Sequence, residues 1–200
     1  MQTPGKPLVL LGGASGAGKS YLAARYGRPH VVLDNFYREL AEHTAESPLP
    51  MTSYGEVDWD HPGTWNTSSA VGAIVELLET GETQVPDYSL ATSSYRGRSL
   101  VALDGGPVVA EGIFGDLVLA PLRRQGVPVE AIYVDTPRLL TAVRRLVRDV
   151  SERRKPLPFL LKRGWALFRA EGAVRRRYLE AGFEPMPKPA VKRRLAELGA

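Results

Sequence analysis

The hydrophobic residues of this chain are concentrated in short continuous runs that carry no internal polar alternation. Runs of this kind are typical of strands buried on both faces, as in a parallel sheet, whereas half-exposed strands alternate. Helix-like segments lie between the runs, and strands that alternate with helices indicate an α/β fold. The pattern therefore predicts a three-layer α/β sandwich around a mostly parallel sheet, with buried strands over residues 7–11, 30–33, 108–110 and 131–134.

The segments after these strands differ in pattern. Residues 44–66 are rich in Pro, Gly, Asp and Ser without any period, which predicts a long functional loop. Thr67 or Ser68 is suited to cap a helix that continues to Leu78 and is closed by Gly81.

The later segments predict smaller elements. Residues 82–103 are more strand-like and predict a small β-hairpin appendage. A helix is predicted after Thr136-Pro137, with apolar positions 139, 140, 143, 146, 147 and 150 on one face and arginines on the opposite, exposed face. Residues 158–183 look helical. Residues 184–200 predict a proline-punctuated loop and a basic helix, with no final apolar strand.

A glycine-rich loop lies between the first predicted strand and the first predicted helix. It fits the pattern Gly-x-x-x-x-Gly-Lys-Ser, in which backbone N–H groups surround phosphate oxygens and the helix directs its positive end at them. The lysine of this pattern contacts the β- and γ-phosphates, and the serine hydroxyl binds Mg²⁺. We therefore predict an ATP-binding loop with Lys19 as a catalytic cation and Ser20 as a metal ligand, formed by Gly13, Ala14, Ser15, Gly16, Ala17, Gly18, Lys19 and Ser20.

Three carboxylates, Asp34, Glu111 and Asp135, each follow an apolar run. Ligands of a parallel α/β sheet collect at the carboxyl ends of its strands. A P-loop enzyme needs one carboxylate near Mg²⁺ and, if it phosphorylates a hydroxyl, another to accept or orient the hydroxyl proton. We predict functional roles of this kind for Asp34 and Glu111, and a helix-capping role for Asp135.

Composition and charge narrow the functional classes. Cys is absent, which excludes disulfides, thiolate zinc sites and a cysteine nucleophile. The apolar run near the start is too short for a signal peptide or a membrane span, so we expect a cytoplasmic protein without a membrane partner. Residues 1–120 contain 7 Lys and Arg and 14 Asp and Glu, whereas residues 121–200 contain 19 and 8. A basic C-terminal part favours an anionic partner, such as a polyphosphate or nucleic acid.

Several motifs, in this order, resemble the uridine kinase family of P-loop kinases, which is related to phosphoribulokinase and pantothenate kinase. The resemblance covers about residues 7–155. The matching motifs are the glycine-rich loop, Asp34-Asn35-Phe36-Tyr37-Arg38, Trp59-Asp60-His61-Pro62, Pro86-Asp87-Tyr88, the strand that ends in Glu111-Gly112-Ile113, and Arg144-Arg145-x-x-Arg148-Asp149-x-x-Glu152-Arg153.

The resemblance implies an ATP-dependent kinase that transfers the γ-phosphoryl group to the 5′-hydroxyl of a nucleoside, with uridine as the first candidate. It implies that Asp34 orients that hydroxyl as the base and that Glu111 holds Mg²⁺ together with Ser20. The acceptor would be bound by Tyr37, Asp60, Tyr88 and Arg145. A lid over about residues 138–158 would bring Arg148 and Arg153 to the ATP phosphates, and arginine forks suit that task.

Two positions depart from the family pattern. The family usually has His and then Arg shortly after the substrate tyrosine, whereas Ser93 and Tyr95 stand here. A base-reading site loses discrimination without its hydrogen-bonding partners. The acceptor therefore stays open between a nucleoside and another small alcohol, such as a sugar phosphate or pantothenate.

An alternative of a different class is a P-loop ATPase that binds nucleic acid through Arg175-Arg176-Arg177. We do not expect a nucleic-acid partner, because no basic surface with interleaved aromatics is evident. The expected organisation is one P-loop kinase domain over residues 1–200, with a divergent helical part over about 159–200. ATP and Mg²⁺ are the expected cofactors and a small-molecule acceptor is the expected partner, and formation of a homo-oligomer stays open.

Overall fold

In the computed structural model of the chain, residues 7–52, 55–151 and 171–200 are described, without the side chains of residues 145, 146 and 148–151. The strands are β1 (Leu8–Gly12), β2 (His30–Val32), β3 (Glu82–Ser89), β4 (Ser94–Ala102), β5 (Val108–Glu111), β6 (Val129–Asp135) and β7 (Glu184–Pro187). The helices are α1 (Lys19–Tyr26), α2 (Thr67–Thr80), α3 (Gly115–Arg124), α4 (Arg138–Ser151), α5 (171–180) and α6 (Lys188–Leu198).

Five strands form one parallel sheet in the order β2-β5-β1-β6-β7. The chain places β1 in the centre, so its carboxyl end meets the ends of β5 and β6 on either side. The predicted α/β fold with a mostly parallel sheet is confirmed. Among the described residues, no helix is long and apolar enough to cross a membrane.

Alternate residues of the central strand serve two separate cores. Leu8 and Leu10 point into the larger core, which contains buried residues of α2, α3 and α5. Val9 and Leu11 point into the smaller core, with α1 and α6. A strand buried on both faces must be apolar at every position, which is why this strand reads as a continuous apolar run.

The expectation that residues 184–200 contain no final strand is wrong. Residues Glu184–Pro187 form β7, which pairs in parallel with β6 at the edge of the sheet. Its residues are exposed or half-buried, so it lacks an apolar run. Because an edge strand bonds on one side only, it tolerates Pro185 and Pro187 where a central strand would not.

The N-cap of helix α2 lies one residue before the first of the two predicted caps, Thr67 and Ser68. Asn66 is the N-cap, and its side-chain oxygen accepts a hydrogen bond from the Ser69 N–H at 3.0 Å. Thr67 and Ser68 therefore lie inside the first turn. The predicted closure by Gly81 is confirmed, because Gly81 ends the helix in the left-handed conformation, with φ of 92°. The helix runs to Thr80, two residues beyond the predicted Leu78.

Strands β3 and β4 form the predicted antiparallel hairpin, separate from the main sheet. The hairpin packs against α2 and against the 3₁₀ turn Leu33–Phe36 that follows β2. It thereby carries Tyr88 and Tyr95 towards the carboxyl end of β2, where Asp34 lies.

Candidate active site

The glycine-rich loop runs from β1 into α1 in a conformation that requires its glycines. Gly13, Gly16 and Gly18 have φ angles of 147°, 87° and 92°, and the last is the N-cap of α1. No side chain caps this helix, so its first N–H groups are directed at the loop. The loop thus provides the backbone donors and the helix end that bind phosphate.

Lys19 lies inside the loop that it follows. Its Nζ donates to Gly13 O at 2.9 Å and to Ala14 O at 3.3 Å, and the residue is only 9% exposed. These hydrogen bonds to backbone carbonyls offset part of the cost of burying the ammonium group. Positive charge is therefore placed at the centre of the loop.

Glu111 lies at the end of β5, 3% exposed, beside the first turn of α1. Burial raises the pKa of its carboxyl, but hydrogen bonding from His30, the charge of Lys19 and the Ser20 hydroxyl outweigh burial and hold the pKa below its ordinary value. The His30 Nε2 lies 3.4 Å from Glu111 Oε1. Glu111 is therefore an ionised carboxylate in contact with a hydroxyl.

The donors at this point fit Mg²⁺. Ser20 and Glu111 offer one hydroxyl and one carboxylate, the hard oxygen ligands that Mg²⁺ takes in small number while phosphates and waters supply the rest. Within residues 7–52, 55–151 and 171–200, no group of three or more His, Cys, Asp or Glu side chains forms a fuller metal cage. The two predicted ligands are thus brought together.

Asp34 lies in the 3₁₀ turn directly after β2 and is half-buried. Its Oδ1 accepts a hydrogen bond from the Ile113 N–H at 2.9 Å. Burial raises the pKa of Asp34, the Ile113 N–H lowers it, Glu111 raises it and Lys19 lowers it, and the net direction is upward. The Asp34 carboxyl is therefore close enough to Glu111 and Lys19 to interact electrostatically with both.

Gly112 has no side chain, and this allows Asp34 to lie close to the backbone after β5. A Cβ at this position would lie 2.7 Å from Asp34 Oδ1 and 2.7 Å from Leu33 Cβ, closer than side-chain atoms pack. The glycine after Glu111 is thus required by the proximity of Asp34.

The residues predicted to bind the acceptor differ in burial: Tyr37 and Tyr88 are buried, whereas Asp60 is exposed. Tyr37 and Tyr88 are 6% and 7% exposed, and their rings stack 5.6 Å apart. Their hydroxyls donate to Trp59 O and Arg38 O, each at 3.2 Å. Asp60 is exposed, in the turn before His61.

Tyr95 ties the hairpin to the segment that follows Asp34. Its hydroxyl donates to Tyr37 O at 2.6 Å, and its backbone N–H donates to Glu39 Oε1 at 2.7 Å. The Leu40 N–H donates to Ser93 O at 2.8 Å. Both residues that replace the family's base-reading pair are therefore engaged in internal hydrogen bonds.

The predicted lid begins with α4. Arg145 and Arg148 lie on this helix, their side chains outside the description, and Arg153 lies outside the described residues. The faces of α4 that are buried and exposed in the structure differ from the predicted ones. Thr141, on the predicted exposed side, is 1% exposed and donates to Glu171, whereas the apolar residues Leu139, Leu140, Val143 and Val147 are exposed. Packing of α5 against the start of α4 explains the buried threonine.

The basic cluster of α5 is largely occupied by ion pairs. The Arg175 Nη2 lies 3.0 Å from Asp135 Oδ2, and the Arg177 Nε lies 2.8 Å from Asp116 Oδ2. Asp135 therefore has an ion-pair partner, where the sequence predicted a helix cap.

Three residues of the site were missed by the sequence interpretation. His30 contacts Glu111, and Tyr178 of α5 reaches the backbone after β5. Lys188, at the start of α6, has its Nζ 5.2 Å from the centre of the Tyr21 ring and 2.5 Å from where a Cβ on Gly18 would lie. Each is brought in by the tertiary fold, and no local motif marks it.

Lys188 adds a cation at the edge of the phosphate-binding loop. Burial lowers the pKa of Lys188, as do the positive charges of Arg144 and Lys192. No carboxylate of the described residues forms an ion pair with it. Several positive groups therefore converge on the loop, which favours a polyanionic ligand.

Comparisons with known proteins find relatives of this chain. A uridine kinase of Borrelia garinii is 23% identical over 155 residues, which are 75% of this chain and 70% of that protein. A uridine kinase of Saccharomyces cerevisiae is 30% identical over 176 residues, 84% of this chain but 34% of the yeast protein. The chain thus spans only about a third of that relative. No protein-family model matches the chain.

A solved structure shares the fold. A candidate fructose transport system kinase from Silicibacter sp. TM1040 superposes with a TM-score of 0.62 at 19% identity, over 93% of this chain and 92% of that protein. The sequence relatives confirm the resemblance to the uridine kinase family and support a P-loop small-molecule kinase, while the solved structure shows a shared fold.

Proposed function

We propose that this protein is an ATP-dependent kinase that transfers the γ-phosphoryl group to a primary hydroxyl of a small molecule, with a nucleoside as the first acceptor to test. The observation that carries the proposal is the convergence of Asp34, Lys19 and Glu111 at the carboxyl ends of neighbouring parallel strands. A phosphate-binding cation, an ionised carboxylate and a half-buried carboxyl of raised pKa then surround one point.

The residues divide the work of phosphoryl transfer between them. The loop N–H groups and Lys19 bind and orient the triphosphate, since positioning and charge stabilisation account for most of the catalysis in this reaction. Ser20 and Glu111 would hold Mg²⁺, which neutralises phosphate charge when it is bound. Asp34 accepts the hydrogen bond of the acceptor hydroxyl and takes its proton as the phosphoryl group is transferred.

The position of Asp34 suits a base. Because burial raises its pKa, the carboxylate is more basic than an ordinary aspartate and takes up a proton more readily. The Ile113 N–H holds one oxygen, Oδ1, and so leaves Oδ2 for the acceptor. We infer that Arg148 and Arg153 complete the phosphate site from the lid, with Arg145 on the acceptor side.

A nucleoside acceptor is supported by the two relatives described above, both of which are named uridine kinase. The aromatic group beside Asp34 also fits a flat base, because rings stack on one another. Tyr37 has its ring centre 5.9 Å from Trp59 and 5.6 Å from Tyr88. We propose Tyr37, Asp60 and Tyr88 as the surface that holds the sugar and base.

A second candidate acceptor is a sugar or another alcohol without a base. Ser93 and Tyr95 stand where the family reads the base, and the hydroxyl of Tyr95 is engaged by Tyr37 O. This arrangement leaves fewer directed hydrogen-bonding groups for a pyrimidine. The shared fold with a candidate fructose transport system kinase does not contradict such an acceptor.

An acceptor screen separates these candidates. Purified protein is incubated with Mg²⁺ and ATP and each of uridine, cytidine, other nucleosides, fructose, sugar phosphates and pantothenate, and ADP release is measured. The Lys19→Ala variant is the matched control for contaminating kinases. ADP release that depends on a nucleoside supports the first acceptor, dependence on a sugar supports the second, and release without any acceptor dependence contradicts the proposed transferase.

A further inference from the structure

Tyr178, in α5, is a buried polar residue that the proposed reaction does not use directly. It is 1% exposed, and its ring packs against Gly12 so closely that a Cβ there would clash with it. Its hydroxyl donates to Gly112 O at 2.9 Å and to Ile113 O at 3.0 Å. A buried hydroxyl is costly unless it is hydrogen-bonded, and this one bonds the backbone beside Asp34.

One peptide group connects Tyr178 to Asp34. The carbonyl of Gly112 and the N–H of Ile113 belong to the same planar unit. The carbonyl accepts from Tyr178, and the N–H donates to Asp34 Oδ1 at 2.9 Å. A donor that fixes the direction of the carbonyl also fixes the N–H, and hydrogen bonds in a chain strengthen one another.

We propose that Tyr178 is a positioning residue that orients Asp34 towards the acceptor hydroxyl through the peptide group between Gly112 and Ile113. The proposal rests on the proposed function, in which Asp34 is the base. It assigns to α5, which the sequence showed only as a divergent helix, a task in the reaction.

The surroundings keep Tyr178 in place and protonated. The Arg177 Nη2 donates to Ile113 O at 3.0 Å, and the Arg177 guanidinium pairs with Asp116. Burial raises the pKa of Tyr178 well above that of an ordinary tyrosine, and Asp116 raises it further. The hydroxyl therefore keeps its proton at neutral pH.

The test is the Tyr178→Phe variant, which keeps the ring and removes the hydroxyl. We expect kcat for acceptor phosphorylation to fall about tenfold, the effect of one lost hydrogen bond in the transition state, with KM for ATP unchanged within about twofold. In an Asp34→Asn background the same change should have no further effect on the residual kcat. Tyr26→Phe, which removes a hydroxyl at the far end of α1, is the matched control.

Two measurements do not depend on activity. In Tyr178→Phe, the NMR amide resonance of Ile113 should move towards that of a weaker hydrogen bond. In the unmodified protein, the hydroxyl proton of Tyr178 should exchange slowly with solvent. An unchanged amide resonance, a fast hydroxyl exchange, or an equal loss of kcat in both backgrounds overturns the proposal. If the wild-type protein phosphorylates no acceptor, the proposed function and this role both fail, and the amide resonance still shows whether the hydrogen-bonded chain exists.

Discussion

The two sides of the candidate site are built from different kinds of chemical group. The phosphate side, residues 13–20 with Glu111, is formed by backbone N–H groups, a helix end and ionised side chains. The acceptor side, residues 36–42 with the hairpin β3–β4, is formed by aromatic side chains whose hydroxyls already bind the backbone. In the proposed kinase, phosphate recognition would therefore be set by charge and loop geometry, whereas acceptor recognition would depend on the shape of a packed aromatic group.

The difference implies that charge removal on the phosphate side has the largest effect. We expect Lys19→Ala to lower kcat/KM about 1000-fold, because the cation acts directly on the transferring phosphoryl group. Steady-state kinetics with ATP and the best acceptor measure it. Lys192→Ala, which removes an exposed lysine of α6, should leave the rate near that of the wild type. A Lys19→Ala variant with normal turnover would remove the phosphate role.

Asp34 lies between the two sides, and its substitution separates catalysis from stability. We expect Asp34→Asn to lower kcat at least about 100-fold while ATP binding, measured by calorimetry, is retained. The folded-state pKa of Asp34 is raised, so its ionisation at neutral pH costs stability, and the neutral amide removes that cost. The thermal midpoint should therefore stay equal or rise. A fall in both the midpoint and ATP affinity would indicate a structural role only.

Alanine substitutions at two glycines, Gly112 and the control Gly72, test whether Asp34 must lie close to the backbone after β5. We expect Gly112→Ala to lower kcat about 100-fold, because the added methyl group would displace Asp34, and small displacements of a catalytic group are costly. Gly72→Ala in α2 is the matched change with open space around it, and it should raise stability by about 0.5–1 kcal/mol. Denaturant unfolding and kinetics of both variants measure the contrast. Equal activity in the two variants would show that Asp34 tolerates displacement.

The phosphate side and the central sheet could be predicted because local constraints determine them. Left-handed glycines at positions 13, 16 and 18 and strands buried on both faces leave direct marks in the sequence. The edge strand β7 could not be predicted, because its exposed prolines lack the apolar pattern of a buried strand. The orientation of α4 depends on the contact of Thr141 with Glu171, 30 residues away in sequence.

The acceptor side resisted prediction for a related reason. The sequence marks Tyr88 and Tyr95 as residues near a family motif, but it does not show which backbone groups their hydroxyls bind. Those partners, at Arg38 and Tyr37, lie 50 and 58 residues away along the chain. The contact of Tyr178 with Gly112 is of the same kind. Side-chain recognition is therefore known only once distant segments have been placed together.

The smallest expected effect concerns the hydrogen bond from the Tyr95 hydroxyl to Tyr37 O, which joins the hairpin to the segment after Asp34. Burial raises the pKa of Tyr95, with the carboxylates of Glu42 and Glu39 adding to it, so its hydroxyl keeps the proton that it donates to Tyr37 O. Tyr95→Phe removes that donor and loosens the acceptor side. We expect KM for the acceptor to rise about fivefold, in proportion to one neutral hydrogen bond, with KM for ATP unchanged.

Tyr26→Phe again serves as the control for Tyr95→Phe, because it removes a hydroxyl from the opposite face of the sheet without touching the hairpin. If Tyr95→Phe instead raised KM for ATP as much as KM for the acceptor, the two sides would not be independent. The proposed difference between the two sides would then be wrong, because a change in the hairpin on the acceptor side would have altered ATP binding on the phosphate side. An effect confined to the acceptor would show that Tyr95 holds the aromatic group in the shape that selects the alcohol, and it would direct the choice of acceptor variants to the residues around Tyr37.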